Sequence, residues 1–211
     1  MGKFCAIFTD FALKWSKFEQ FFMILDQKVQ NEISSLSEVV SALKSGKYEE
    51  VLSQSDNLFI SLDEFTPYAT WNKQRYTRNC IARNEDFELI LLCWEEGQKT
   101  AIHCHNEQEC WVKVIQGSFV EDLFAFPEKD QQLKFAGRVR VSQNEVTTID
   151  NTELLHSLEN TNKGRSMSLH LYMKPITKCR VFNANTKKLE IKSLCYDTLE
   201  GKPFEDSRQL T

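Results

Sequence analysis

Residues 24–43 carry Ile24, Leu25, Val29, Ile33, Leu36, Val39, Val40 and Leu43, mostly at gaps of three and four. That spacing places them along one side of a helix, because a 3.6-residue turn stacks such side chains above one another. Gly46 follows as a stop, since glycine readily takes the left-handed conformation that ends a helix. A second short helix is expected over residues 48–53. From Tyr76 onward the texture changes. Runs rich in β-formers cover residues 87–94, 100–105, 111–116, 119–126, 138–141, 146–149, 166–172 and 179–182. Turn-forming residues separate them, at Gly97, Gly117, Asp150-Asn151 and Lys163-Gly164. Many short strands after a little helix predict a mainly β sandwich or barrel with N-terminal α-helices. The sequence shows neither an internal repeat nor a low-complexity tract.

Composition narrows this picture. A chain of 211 residues suits one domain with a real core. The 26 basic and 30 acidic residues give a net charge of only -4, with both signs interspersed. No basic face marks a nucleic-acid binder. Seven Gly and four Pro leave little room for a long flexible linker. The seven cysteines (Cys5, Cys80, Cys93, Cys104, Cys110, Cys179 and Cys195) are odd in number, irregularly spaced and free of any CxxC pair. They read as thiols of a reducing, cytoplasmic compartment rather than a disulfide framework. Residues 1–22 are aromatic-rich, but Asp10, Lys14, Lys17 and Glu19 interrupt them too often for a membrane span or a signal peptide. Ala6 stands where a myristoylation signal has Ser or Thr. We read Met23 as the functional start and residues 1–22 as an extra upstream segment, the alternative being one more helix. A single domain over 23–211 is then expected, with helices over about 24–65 and the barrel over about 74–197.

The chemistry centres on the four histidines, His103, His105, His156 and His170. On a strand, His103 and His105 project from the same face, as metal ligands do; the bland alternative is an exposed pair on an edge strand. The pattern Gly97-x5-His103-x-His105-x4-Cys110-x6-Gly117 resembles the first motif of the cupin superfamily. Cupins are double-stranded β-helix, or jelly-roll, barrels that hold a metal on inward histidines. His156-Ser-Leu-Glu-Asn160 resembles the end of their second motif, against the alternative of a core histidine. Cys110 stands where cupins usually have a ligating Glu, with Glu109 a rival one position away. Three neutral imidazoles leave the metal its full charge and open positions, which attracts a thiolate. In Ser168-Leu-His170-Leu-Tyr172 the polar residues share one strand face, as in a wall facing a metal cavity or, more plainly, in an exposed edge.

Tyr76-Thr-Arg78-Asn, His103-x-His105 with Cys110, His156, and Ser168-x-His170-x-Tyr172 occur in the order found in cysteine dioxygenases, a resemblance that covers residues 74–182. It implies an Fe(II)-dependent, monomeric enzyme that oxidises L-cysteine with O₂ to cysteine sulfinate. His103, His105 and His156 would bind the iron. Arg78 would anchor the substrate carboxylate with Tyr76 beside it, where a lone Arg is otherwise a surface charge. Tyr172 would lie near the iron and join Cys110 in a thioether, with Ser168 and His170 holding the Tyr172 hydroxyl and Cys179 near the entrance. The sequence departs from the family at two places. Met173-Lys174-Pro175 stands where Ser-Pro-Pro commonly follows the tyrosine, and Cys104 sits between two ligands. The alternatives are a 3-mercaptopropionate dioxygenase, whose branch has Gln at the Arg78 position, and a non-catalytic metal-binding cupin. A zinc hydrolase lacks a general base here.

Overall fold

The computed structural model describes residues 32–105, 108–127, 132–149 and 154–204. The chain divides into two compact units, residues 1–34 and 35–211, and the elements below belong to the second. The expected upstream segment 1–22 and the start of the long helix lie outside the described residues. Where that helix is described, it begins anew at Ser35 and runs as α1 (Leu36–Lys44). The Ser35 hydroxyl accepts from the Glu38 amide while the Glu38 carboxylate accepts from the Ser35 amide, a reciprocal cap that satisfies two end donors. The hydrophobic face of α1 buries Leu36, Val39 and Leu43. Two short helices follow, α2 (Tyr48–Ser53) and α3 (Leu62–Phe65). Among the described residues no helix is long and apolar enough to cross a membrane.

The remainder is β. In chain order the strands are β1 (Thr77–Arg83), β2 (Glu88–Trp94), β3 (His103–Cys104), β4 (Cys110–Gln116), β5 (Ser118–Ala125), β6 (Lys134–Ser142) and β7 (Val146–Ile149). They continue as β8 (Leu154–Asn160), β9 (Ser166–Tyr172), β10 (Lys178–Asn183), β11 (Lys188–Ser193), β12 (Thr198–Leu199) and β13 (Lys202–Pro203). One sheet has the order β13-β12-β1-β2-β9-β4-β7 and the other β11-β10-β3-β8-β5-β6. All pairings are antiparallel except β1 with β12. Between the sheets lies a core of Ile90, Leu92 and Trp94 from β2, Val112 and Val114 from β4, Phe119 from β5 and Leu158 from β8. This is the expected double-stranded β-helix.

Alternation explains which residues reach that interior. Glu88, Ile90, Leu92 and Trp94 fall on one face of β2, and the strand is buried on both faces. Trp94 packs edge-on against Phe119, with centroids 5.4 Å apart. Burying an aromatic of this size contributes on the order of 1.5–3 kcal/mol. Two turns are fixed by chemistry rather than burial. Gly117 has φ +87°, and a Cβ there would sit 2.0 Å from the Ser166 hydroxyl. Asn160 donates to the carbonyls of Glu95 and Gly164 and accepts from Ser166 and the Asn162 amide, stapling the end of β8.

Candidate metal centre

The shortest strand places two of the three candidate ligands. In β3, His103 lies directly opposite His156 of β8, and His105 follows two residues after His103. The three rings converge on one point. His105 Nε2 lies 3.2 Å from His103 Nε2 and 3.2 Å from His156 Nε2. The Nδ1 atoms fix the tautomers of two of these rings. His103 Nδ1–H donates to the Ala101 carbonyl at 2.9 Å, and His156 Nδ1–H donates to the Glu121 carboxylate at 2.8 Å. In both, Nε2 then carries a lone pair aimed inward. These two lone pairs converge with His105 Nε2, and a cation between the three nitrogens would complete the arrangement. Burial, and then the neighbouring His156, lowers His103 to about 3, and burial likewise holds His105 well below its usual value. Both are therefore neutral imidazoles, the form that binds a metal.

The strands also separate the two candidates for a fourth ligand, Glu109 and Cys110. Among the described residues the metal-competent cluster contains His103, His105 and His156 alone. Glu109 is exposed on the outside, while Cys110 is buried beside the site. Cys110 of β4 and Tyr172 of β9 are direct cross-strand partners, and the Tyr172 ring stands edge-on to His105 at 5.3 Å. The Cys110 and Tyr172 side chains are packed in the same buried cluster. Burial pushes both groups up, so both keep their protons.

Arg78 enters from β1. Its backbone is clamped by Asp197, whose carboxylate accepts from Arg78 N at 2.8 Å and whose amide donates to Arg78 O at 2.7 Å. Arg75 fixes that carboxylate in turn, at 2.6 and 2.9 Å. The Arg78 side chain is buried, yet Nε and Nη2 have no hydrogen-bond partner. A buried guanidinium with idle donors is costly unless something negative completes it. It lines an inner pocket of about 30 Å³ together with Tyr76, the three histidines and Tyr172. Many of the same residues line a wider cleft of about 760 Å³, and Cys179 lies along it. Tyr76 stacks on Trp94 at 4.5 Å, which holds its ring beside Arg78.

One expected contact differs. The resemblance has His170 hold the Tyr172 hydroxyl, but its Nε2 is hydrogen-bonded to the Ser168 hydroxyl at 2.8 Å and its Nδ1 faces Cys110 Sγ at 4.0 Å. Ser168 is itself fixed by the Trp94 indole N–H at 3.0 Å. His170 and Tyr172 meet only as near-parallel rings, 6.3 Å apart. Residues two apart on a strand share a face, but side-chain torsions decide what each ring nitrogen meets. Two further residues support the site without a sequence motif to mark them. Glu121 orients His156 and also accepts from Thr147 at 3.1 Å, and Trp94 anchors Ser168. Cys104 is buried and absent from the cavity lining, as expected for the residue between two same-face ligands. Every described peptide bond is trans, and Lys174 takes φ 136°.

Comparison with known proteins gives a consistent pattern. The family described as cysteine dioxygenase type I matches residues 12–185. Cysteine dioxygenase type 1 of Bos taurus is 33% identical over 161 residues, covering 73% of this chain and 80% of its own length. That of Danio rerio is 30% identical over 172 residues, covering 80% and 85%. That of Homo sapiens is 37% identical over 127 residues, covering 58% and 63%.

Proposed function

The chain belongs to the cysteine dioxygenase type I family, and on that premise we propose that it oxidises the thiol of L-cysteine to the sulfinate at Fe(II) held by His103, His105 and His156. The observation that carries this reading is the pairing of two unfinished features in one pocket: three converging imidazole nitrogens without a carboxylate, and a buried guanidinium without an anion. A cation completes the first and a substrate carboxylate the second. Imidazoles held from behind by Ala101 and Glu121 suit a first-row divalent metal. Bound Fe(II) would supply the one-electron chemistry that lets ground-state O₂ react with a thiolate.

The protein's own residues do the rest. The idle donors of Arg78 pair with the cysteine carboxylate, a charge-assisted contact stronger than a neutral hydrogen bond. Tyr76, locked on Trp94, flanks that ion pair. Tyr172 keeps its proton and offers its hydroxyl to the substrate side of the pocket. Cys110 sits against Tyr172, away from the ligand nitrogens, and the two side chains are placed to join in a thioether. The inner pocket is about the size of one water, so a bound substrate displaces solvent there. In the net reaction both atoms of O₂ are transferred to sulfur and the thiol proton is released.

The test is direct. Protein reconstituted anaerobically with Fe(II) should consume O₂ on addition of L-cysteine and yield cysteine sulfinate in equal amount. Zinc at full occupancy with no iron-dependent oxygen uptake would refute the reading.

A further inference from the structure

Within the barrel one acidic side chain has no part in the site described above. Glu88, the first residue of β2, points inward with Ile90, Leu92 and Trp94 and is fully buried. Its row in the sheet runs Glu88, Tyr172, Cys110 across β2, β9 and β4, so it stands directly beside Tyr172 on the side opposite Cys110. Its Oε2 accepts from the amide of Ile176 at 3.1 Å, and its Oε1 has no partner.

That amide belongs to the segment that leaves Tyr172. The chain turns there through Lys174 at φ 136°, a strained conformation that L side chains rarely adopt. Such a turn persists only where its surroundings fix it. Ile176 is packed in the core with Tyr172, and the described hydrogen bond reaching its amide comes from Glu88. A carboxyl is expensive to bury, and a hydrophobic residue at this position would continue the pattern of β2. The one bond it makes is therefore the informative feature.

We propose that Glu88 is a positioning residue for Tyr172, holding the strained exit turn through the Ile176 amide so that the tyrosine stays against Cys110 and Arg78. This rests on the role given to Tyr172 above. Burial raises Glu88, with the Ile176 amide and Arg78 acting the other way.

Reach and charge are separable. Glu88→Gln keeps the length and an acceptor oxygen but loses the charge. Glu88→Asp keeps the charge but withdraws the oxygen by one methylene. In metal-free protein, amide hydrogen exchange at Ile176 should be faster by tenfold or more in Glu88→Asp and near that of the parent in Glu88→Gln. With iron loaded, Glu88→Asp should show a several-fold lower kcat and less Cys110–Tyr172 joining per turnover, with little change in the KM for cysteine. Glu88→Gln should match the parent in all three. Parental exchange and kcat in Glu88→Asp, or equal losses in both variants, would overturn the proposal. So would insoluble Glu88→Asp protein, since a hold on one strand end does not decide folding. Tyr172→Phe is measured alongside. If it too behaves as the parent, the reading of Tyr172 fails; if it is impaired while Glu88→Asp is not, only the role of Glu88 fails.

Discussion

Cys110 and Tyr172 face one another across adjacent antiparallel strands and share one buried cluster. Directly opposed residues bring their Cβ atoms to about 4.5–5.5 Å, so no loop movement is needed for the side chains to react. Turnover with iron, cysteine and O₂ should therefore generate a thioether between sulfur and the ring position ortho to the hydroxyl. Peptide mass spectrometry should find a joined Cys110–Tyr172 species lacking two hydrogens, and Cys110→Ser protein should never yield it. Cys110→Ser should retain iron and part of the activity, because the sulfur is not a ligand. Tyr172→Phe should lose more, because the hydroxyl goes as well. Many turnovers of the parent without the joined peptide would show that the pair does not react as proposed.

Glu121 tests how the metal is held. Its carboxylate fixes the His156 tautomer with Nε2 free and makes that nitrogen a better donor. Glu121→Gln keeps the shape but removes the charge, and the metal affinity should fall by about 10–100-fold. Competition with a calibrated chelator measures this without reference to turnover. Affinity equal to that of the parent would mean that His156 needs no partner behind it.

Gly117 offers a test of the fold alone. An added Cβ would overlap the Ser166 hydroxyl, and φ +87° is unfavourable for any L side chain. Gly117→Ala should lose about 2–6 kcal/mol, combining backbone strain of roughly 1–3 kcal/mol with overpacking of a similar size. Urea unfolding monitored by tryptophan fluorescence reads the shift. A loss below about 0.5 kcal/mol, the size of an ordinary surface change, would mean that the turn relaxes freely.

Much of the site is legible in the chain itself, for a simple reason. Metal ligands are drawn from few residue types, and this chain has four histidines, three of which converge. The same economy makes Arg78 and Tyr172 visible within their motifs. Glu121 is not visible, because Glu121 and Asp122 are adjacent acids in one strand and only the pairing of β5 with β8 decides which turns inward. Asp122 instead meets Arg138 and Lys99. Strand β11 is mostly exposed, and Lys188-Leu-Glu-Ile-Lys lacks the apolar content that marks a core strand. Hydrophobic spacing runs straight through Ser35, although Ser35-x-x-Glu38 spells the helix start found there. Face and spacing are encoded locally, whereas rotamers such as that of His170 depend on neighbours from distant strands.

On the function proposed above, Arg78 decides between substrates. Cysteine carries two polar arms on one carbon, an amine and a carboxylate, and discrimination requires that they be told apart. The Arg78 fork does so by offering two idle, charged donors from a backbone clamped to Asp197. Arg78→Gln leaves a neutral amide that reaches the carboxylate with one donor group. A hydrogen bond to a charged group contributes about 1.5–3 kcal/mol, and the variant gives up one of the two. The deficit corresponds to a loss of roughly tenfold or more in kcat/KM for cysteine, since about 1.4 kcal/mol is a factor of ten. 3-Mercaptopropionate lacks the amine, so it has a single polar arm to place and depends less on the fork for its orientation. Its kcat/KM should fall less, and the preference of Arg78→Gln protein should move toward it. Oxygen uptake with the two thiols, each over a full concentration range, measures both constants on the same preparation. Iron content should stay at the parental level, since Arg78 is not a ligand. Parental cysteine kinetics in this variant would remove Arg78 from the substrate site, and the anion that its buried donors await would have to be sought elsewhere.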